Sequence, residues 1–151
     1  MSLVLRPATR RDLGRLALIH AQCFPDDAWD APALESVLAM AGAESLVAEQ
    51  EGDAIGLLFA TVIREEAEIL TFGVAPRWRQ KGVARALLAA FYARAQALGA
   101  TRIVLEVAAD NPAALALYEA EGFRTVGLRH AYYQRGRGPA VDAWLLRRMF
   151  D

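Results

Sequence analysis

From Val74 to Leu88 an apolar, strand-like run empties into a basic turn, Pro76-Arg77-Trp78-Arg79-Gln80-Lys81-Gly82, and the turn opens straight into the helical pattern Val83-Ala84-Arg85-Ala86-Leu87-Leu88. This junction constrains the fold more than any other segment, because a strand delivering a helix through a short turn demands an α/β arrangement with the helix laid back on a sheet. It also constrains chemistry. Successive backbone N–H groups in such a turn, with the partial positive charge of the helix start behind them, form a receptacle for an anion such as a phosphate group.

The rest of the chain supplies the sheet. Leu3 to Arg6 reads as a short strand. Thr9-Arg10-Arg11-Asp12 has the spacing of a capping box before a helix with Leu13, Leu16, Ala17 and Ile19 on its apolar face. Asp30 and Pro32 open a second helix to about Met40, closed at Gly42. Ser45–Gln50 and Ala54–Ile63 read as a hairpin around Glu51-Gly52-Asp53, and Glu68–Val74 as the next strand after Arg64-Glu65-Glu66. A long helix runs from Gly82 to Leu98 and stops at Gly99. Strand Thr101–Ala108, helix Pro112–Glu121 and strands Phe123–His130 and Val141–Phe150 complete the order. Tyr132 and Tyr133 then fall in a loop with Gly136 and Gly138.

The 151 residues, 55% of them hydrophobic, suit one domain over residues 1–151 with a sizeable core. The formal charge of −1 argues against nucleic acid as a partner. It hides a polarity: eleven acidic residues against Arg64 alone lie between His20 and Leu70, whereas residues 71–151 hold twelve basic and six acidic side chains. Cys23 is the sole cysteine, which excludes an intrachain disulfide and cysteine metal sites. The start has no apolar leader core, and no apolar run approaches the roughly twenty residues that span a bilayer, so a cytoplasmic, membrane-free protein is expected.

Two motifs carry a family resemblance. Arg79, Gly82 and Ala84 match the pattern Arg/Gln-x-x-Gly-x-Gly/Ala, and Asn111-Pro112-Ala113-Ala114-Leu115-Ala116-Leu117-Tyr118-Glu119-Ala120-Glu121-Gly122-Phe123 resembles Asn-x-x-Ala-x-x-Leu-Tyr-x-x-x-Gly-Phe. In this order and spacing they resemble the two signatures of the GNAT superfamily of N-acetyltransferases, and the element order fits over almost the whole chain. The resemblance implies a mixed, mostly antiparallel sheet of six to seven strands with a central splay, flanked by about four helices. It implies acetyl-CoA as cosubstrate and no metal, with the pyrophosphate on Arg79, Gln80, Lys81, Gly82, Val83, Ala84 and Arg85. It further implies that pantetheine lies along Phe72, Gly73 and Val74, where a backbone N–H near Val74 stabilises an oxyanion. Independently of the resemblance, Gly73 inside an apolar strand marks a bulge or a close backbone approach, and Asn111 is placed to cap the helix at Pro112; a cap leaves the amide nitrogen free, and the resemblance implies that it hydrogen-bonds the pantetheine arm.

Glu106 stands out in Ile103-Val104-Leu105-Glu106-Val107-Ala108, a run apolar enough to be covered on both faces. A carboxylate there needs water, a partner or a reaction centre; it either leans out to solvent or an arginine, or, as the resemblance implies, acts as general base on the substrate ammonium. Tyr118 is either a core aromatic or, by the same resemblance, the acid that protonates the leaving thiolate.

The acceptor follows from finer likenesses. Leu105-Glu106-Val107 before Asn111, Arg129-His130-Ala131-Tyr132-Tyr133 followed by Asp142-Ala143, and His20 to Trp29 most resemble the ribosomal-protein-alanine N-acetyltransferases. Ala131, Val141 and Ala28 depart from that pattern. The resemblance implies the N-terminal amine of a basic protein such as a ribosomal protein as acceptor, with Trp29, Tyr132 and Tyr133 on its binding surface, and a monomer or weak dimer. Alternatives are a small-amine or antibiotic acetyltransferase and a CoA-binding regulator without turnover.

Overall fold

The computed structural model describes residues 2–151. Strand β1 (Leu3–Pro7) leads through a 3-10 turn at Arg10–Asp12 into helix α1 (Leu13–Cys23). The Asp12 carboxylate accepts the Thr9 N–H at 2.8 Å and pairs with Arg6 at 2.7 Å. That hydrogen bond to the guanidinium, opposed in part by burial, holds the Asp12 carboxyl below the usual carboxylate range. Helix α2 (Ala31–Leu38) starts where the Asp30 side chain accepts the Ala33 N–H at 2.9 Å. Strands β2 (Ala43–Gln50) and β3 (Asp53–Ile63) are joined by Glu51-Gly52, with φ of 52° and 84°, the left-handed pair that a two-residue hairpin turn requires. β4 (Glu66–Val74), α3 (Val83–Ala97), β5 (Arg102–Ala108), α4 (Pro112–Ala120), β6 (Arg124–Tyr133) and β7 (Val141–Met149) follow.

The seven strands form one sheet in the order β1-β2-β3-β4-β5-β7-β6, antiparallel except between β4 and β5. That one parallel contact follows from the strand–turn–helix junction, because α3 must cross over the sheet before β5 can pair. Two apolar layers close the sheet. On one face Leu87, Leu88 and Phe91 of α3 pack with Ile103, Leu105 and Phe72; on the other Leu16 and Ile19 of α1 and Leu34 of α2 pack with Val47, Leu57 and Phe59. Among the described residues no helix is long and apolar enough to cross a membrane.

The sheet opens at its centre. β4 and β5 pair only from Glu66 with Arg102 to Ile69 with Leu105. Beyond that point β4 carries a bulge: Phe59 faces Thr71 and Ala60 faces Ile69, so Leu70 is the extra residue. The extra residue reverses the alternation of the strand. Ala67 and Ile69 face the α3 layer before it; Phe72 and Val74 do so after it, and Thr71 and Gly73 turn toward α1. The bulge therefore falls at Leu70. Gly73 is the close approach, since a Cβ there would stand 2.9 Å from Cys23 Sγ.

Three local readings shift. β4 begins at Glu66, and β6 extends through Tyr133, so both tyrosines belong to a strand, with register breaks between Arg129 and Tyr133. β5 is covered fully on one face only: Ile103, Leu105 and Val107 are buried while Val104 and Glu106 are half-buried, because α1 and α2 rest on β2, β3 and β4 and stop short of β5.

Candidate active site

The gap between β4 and β5 lies at the heart of a cavity of about 860 Å³ whose wall includes α1, the turn before α3, the start of α4 and Tyr133. Its strand edge is set by hydrogen-bond alternation. Ala75 N–H donates to the Ile55 carbonyl at 2.8 Å, so Gly73 and Ala75 direct their backbone groups to β3, and those of Phe72 and Val74 point the other way, into the gap. The Val74 carbonyl is occupied there by Arg79 Nε at 3.1 Å and Cys23 Sγ at 3.3 Å. Past Ile69, β4 has no strand partner on this side among the described residues, so Phe72 N–H, Phe72 C=O and Val74 N–H face the gap as a short open edge.

Below it sits the basic turn. Gln80 and Gly82 adopt left-handed φ of 61° and 85°. The first intrahelical bond of α3 is Ala86 N–H to the Gly82 carbonyl at 3.0 Å, and among the described residues no side chain caps the helix, so the amides of Val83, Ala84 and Arg85 have no partner within it. A Cβ at Gly82 would meet nothing within 4 Å, which leaves the turn open from the front. These observations fit a bound pyrophosphate. Of the turn residues named from sequence, all but Lys81 line the cavity.

Glu106 and Tyr118 enter the same cavity from opposite faces of the sheet. Glu106 Oε1 is 3.0 Å from Arg129 Nε, so both sequence readings of this residue, arginine partner and cavity carboxylate, hold together. Burial, and next the charge of Glu106, push the carboxyl of neighbouring Glu68 upward. Tyr118 lies against Phe72 and Phe123, with ring centres 6.3 and 5.4 Å away, and burial pushes its phenol well above the ordinary range. It therefore keeps its proton at neutral pH and is available as a donor. Asn111 Oδ1 caps α4 by accepting the Ala114 N–H at 3.2 Å, and Asn111 lines the cavity.

On the α1 side, Trp29 lines the wall and stacks on His20 at 5.3 Å. Tyr133 also lines it; burial, then the charge of Glu106, push its phenol up to about 12. Tyr132 is not brought in: it is half exposed, edge-on to Tyr133 and under Arg129.

The structure adds three wall residues to which sequence reasoning gave no role. Arg135 reaches Asp27 and Asp110 at 2.8 Å and Asp26 at 3.6 Å, tying the loops after α1 and β5 to the β6–β7 connection. His20 and Thr71 are buried and joined at 2.8 Å. The His20-to-Trp29 segment was a signal for the histidine; for Arg135, in a glycine-containing loop, the sequence holds none. The acidic run is largely spoken for. Asp26, Asp27, Glu35, Glu44, Glu49, Glu65 and Glu66, seven of its eleven acids, pair with arginines of this chain.

The family model for the Acetyltransferase (GNAT) family matches residues 13–123. N-alpha-acetyltransferase RimI of Mycobacterium tuberculosis is 37% identical over 149 residues, spanning 93% of this chain and 88% of that protein. The ribosomal protein bS18-alanine N-acetyltransferase of Escherichia coli strain K12 is 34% identical over 94 residues, 61% of this chain and 64% of that one. In fold, the crystal structure of the ribosomal-protein-S18-alanine N-acetyltransferase from Escherichia coli superposes with a TM-score of 0.89 at 24% identity, covering 98% of this chain and 94% of that one.

Proposed function

The chain belongs to the GNAT family of acetyltransferases, and from that premise we propose that it transfers an acetyl group from acetyl-CoA to the N-terminal amine of a protein, a ribosomal protein above all, by direct transfer in a ternary complex. One observation carries the reading: β4 and β5 part at Ile69 and Leu105, and a carboxylate and a protonated phenol enter the opening from opposite faces.

The open amides of residues 83–85, with Arg79 to Gly82, would hold the pyrophosphate, and the free groups of Phe72 and Val74 the pantetheine arm, with the Asn111 amide beside them. When bound, acetyl-CoA supplies an activated acyl thioester. Glu106, oriented by Arg129, takes the proton of the incoming ammonium, directly or through water, so that a lone pair is exposed. Tyr118 holds its proton at Oη on the far side of the gap for the departing sulfur. Val74 N–H aims into the gap, as stabilisation of developing negative charge requires.

For the acceptor, support comes from the N-terminal acetyltransferases among the relatives and from the cavity rim, where Asp26, Asp27 and Asp110 outnumber Arg135 and favour a cationic terminus. Such a substrate places the enzyme in the cytoplasm. The test is thiol release from acetyl-CoA with N-terminal peptides beginning in a small residue, set against small amines. Peptides are expected to be the better substrates; faster turnover of a small amine overturns the reading.

A further inference from the structure

The proton positions around Thr71 can be read from heavy atoms. Trp29 N–H donates to His20 Nδ1 at 3.0 Å, so that nitrogen carries no proton. His20 is 2% exposed and burial lowers its pKa to about 4, so the ring is neutral at physiological pH and its hydrogen sits on Nε2. Nε2 therefore donates to Thr71 Oγ1, 2.8 Å away. The hydroxyl accepts that bond through a lone pair, and its own hydrogen must point elsewhere. No other hydrogen bond reaches this oxygen among the described residues, although Thr71 is only 8% exposed. Both side chains line the cavity. A buried donor without an acceptor costs free energy that a suitable ligand atom recovers.

The place of this donor narrows the ligand. Thr71 follows the Leu70 bulge and turns toward α1, the face on which Glu106 projects from β5. Thr71 and Glu106 line the same cavity, so an amine delivered to Glu106 on this face comes within the part of the wall that Thr71 forms. In an N-terminal residue the carbonyl oxygen lies about 3 Å from the amine nitrogen, whereas a lysine side chain or an alkylamine offers only methylene there. We propose that Thr71, with its hydroxyl oriented by His20, donates a hydrogen bond to the carbonyl oxygen of the acceptor's first residue and thereby selects an α-aminoacyl terminus over amines that lack this carbonyl. The inference rests on the peptide-terminus reading above and adds the group that recognises it. Thr71 is the contact; His20 is a positioning residue acting through it.

A binding cycle tests this apart from turnover. A small-residue N-terminal peptide and its analogue with an alkene in place of the first amide are titrated by calorimetry into the protein saturated with CoA, using wild type, Thr71→Val and Thr71→Ser. In wild type the alkene is expected to bind about tenfold more weakly than the amide. Thr71→Val, which keeps the shape and removes the donor, should weaken the amide peptide by about tenfold and the alkene hardly at all, and Thr71→Ser should restore amide binding. Equal losses for both peptides in Thr71→Val, or no loss for either, overturn the inference while the peptide reading stands. Failure of wild type to bind any such peptide overturns both.

Discussion

His20 should make the protein lose stability as pH falls through a window set by its burial. In the unfolded chain its imidazole takes a proton near 6.5; in the fold it does so only near 4, because the ring is buried. Between these values the unfolded state binds more protons than the folded one, so stability rises with pH across the window, is full above about 6.5 and levels off below about 4. The complete titration is worth about 3 kcal/mol, and the part falling between pH 7 and pH 5 about 2 kcal/mol. Urea unfolding from pH 7 to pH 4 in wild type and in His20→Gln isolates the effect. The variant keeps an amide donor for Thr71 and lacks the titration. The wild-type stability should fall by about 2 kcal/mol more than that of the variant on going from pH 7 to 5. Parallel profiles would refute the buried neutral ring, and with it the proton assignment at Thr71.

Glu106→Gln should lower turnover by roughly two to four orders of magnitude with coenzyme affinity little changed in calorimetry, and Tyr118→Phe should lower turnover while leaving the acidic limb of the rate profile in place. Gly73→Ala sets a Cβ 2.9 Å from Cys23 Sγ, which cannot swing away without losing the Val74 carbonyl. A loss of about 1–3 kcal/mol is expected, largely recovered in the Gly73→Ala/Cys23→Ala double variant, as read from urea midpoints. At Gly82, where φ is 85° and nothing lies within 4 Å of an added Cβ, Ala and Asp bring similar backbone strain, but only Asp brings negative charge to the open amides. Acetyl-CoA affinity should therefore fall at least about tenfold further in Gly82→Asp than in Gly82→Ala.

What was legible in the sequence was local. The strand–turn–helix junction, the Asn111 cap and the Glu51-Gly52 turn are written in neighbouring residues whose backbone needs are specific, and each appears where the sequence puts it. The bulge at Leu70 was not legible, because Ile69-Leu70-Thr71-Phe72 offers apolar residues to both faces and one inserted position leaves no periodic trace. Partnerships between distant segments were equally hidden. His20 meets Thr71 across 51 positions, and Arg135 gathers aspartates from two loops. The charge split shows the same limit: composition counts acids and bases, but only the fold shows Arg6, Arg10, Arg94, Arg102 and Arg135 spent on the acids of the front half.

On the proposed reading, the gap between β4 and β5 presents the N-terminal amine of a protein to acetyl-CoA. A peptide beginning with alanine and carrying an internal lysine and several arginines, incubated with the enzyme and acetyl-CoA and mapped by fragmentation mass spectrometry, tests it directly. A single acetyl group on the α-amine is expected, formed at least about a hundredfold more slowly when Glu106 is replaced by Gln. Acetylation of the lysine in preference to the terminus, or an unmodified peptide under conditions where a small amine is acetylated, would contradict it.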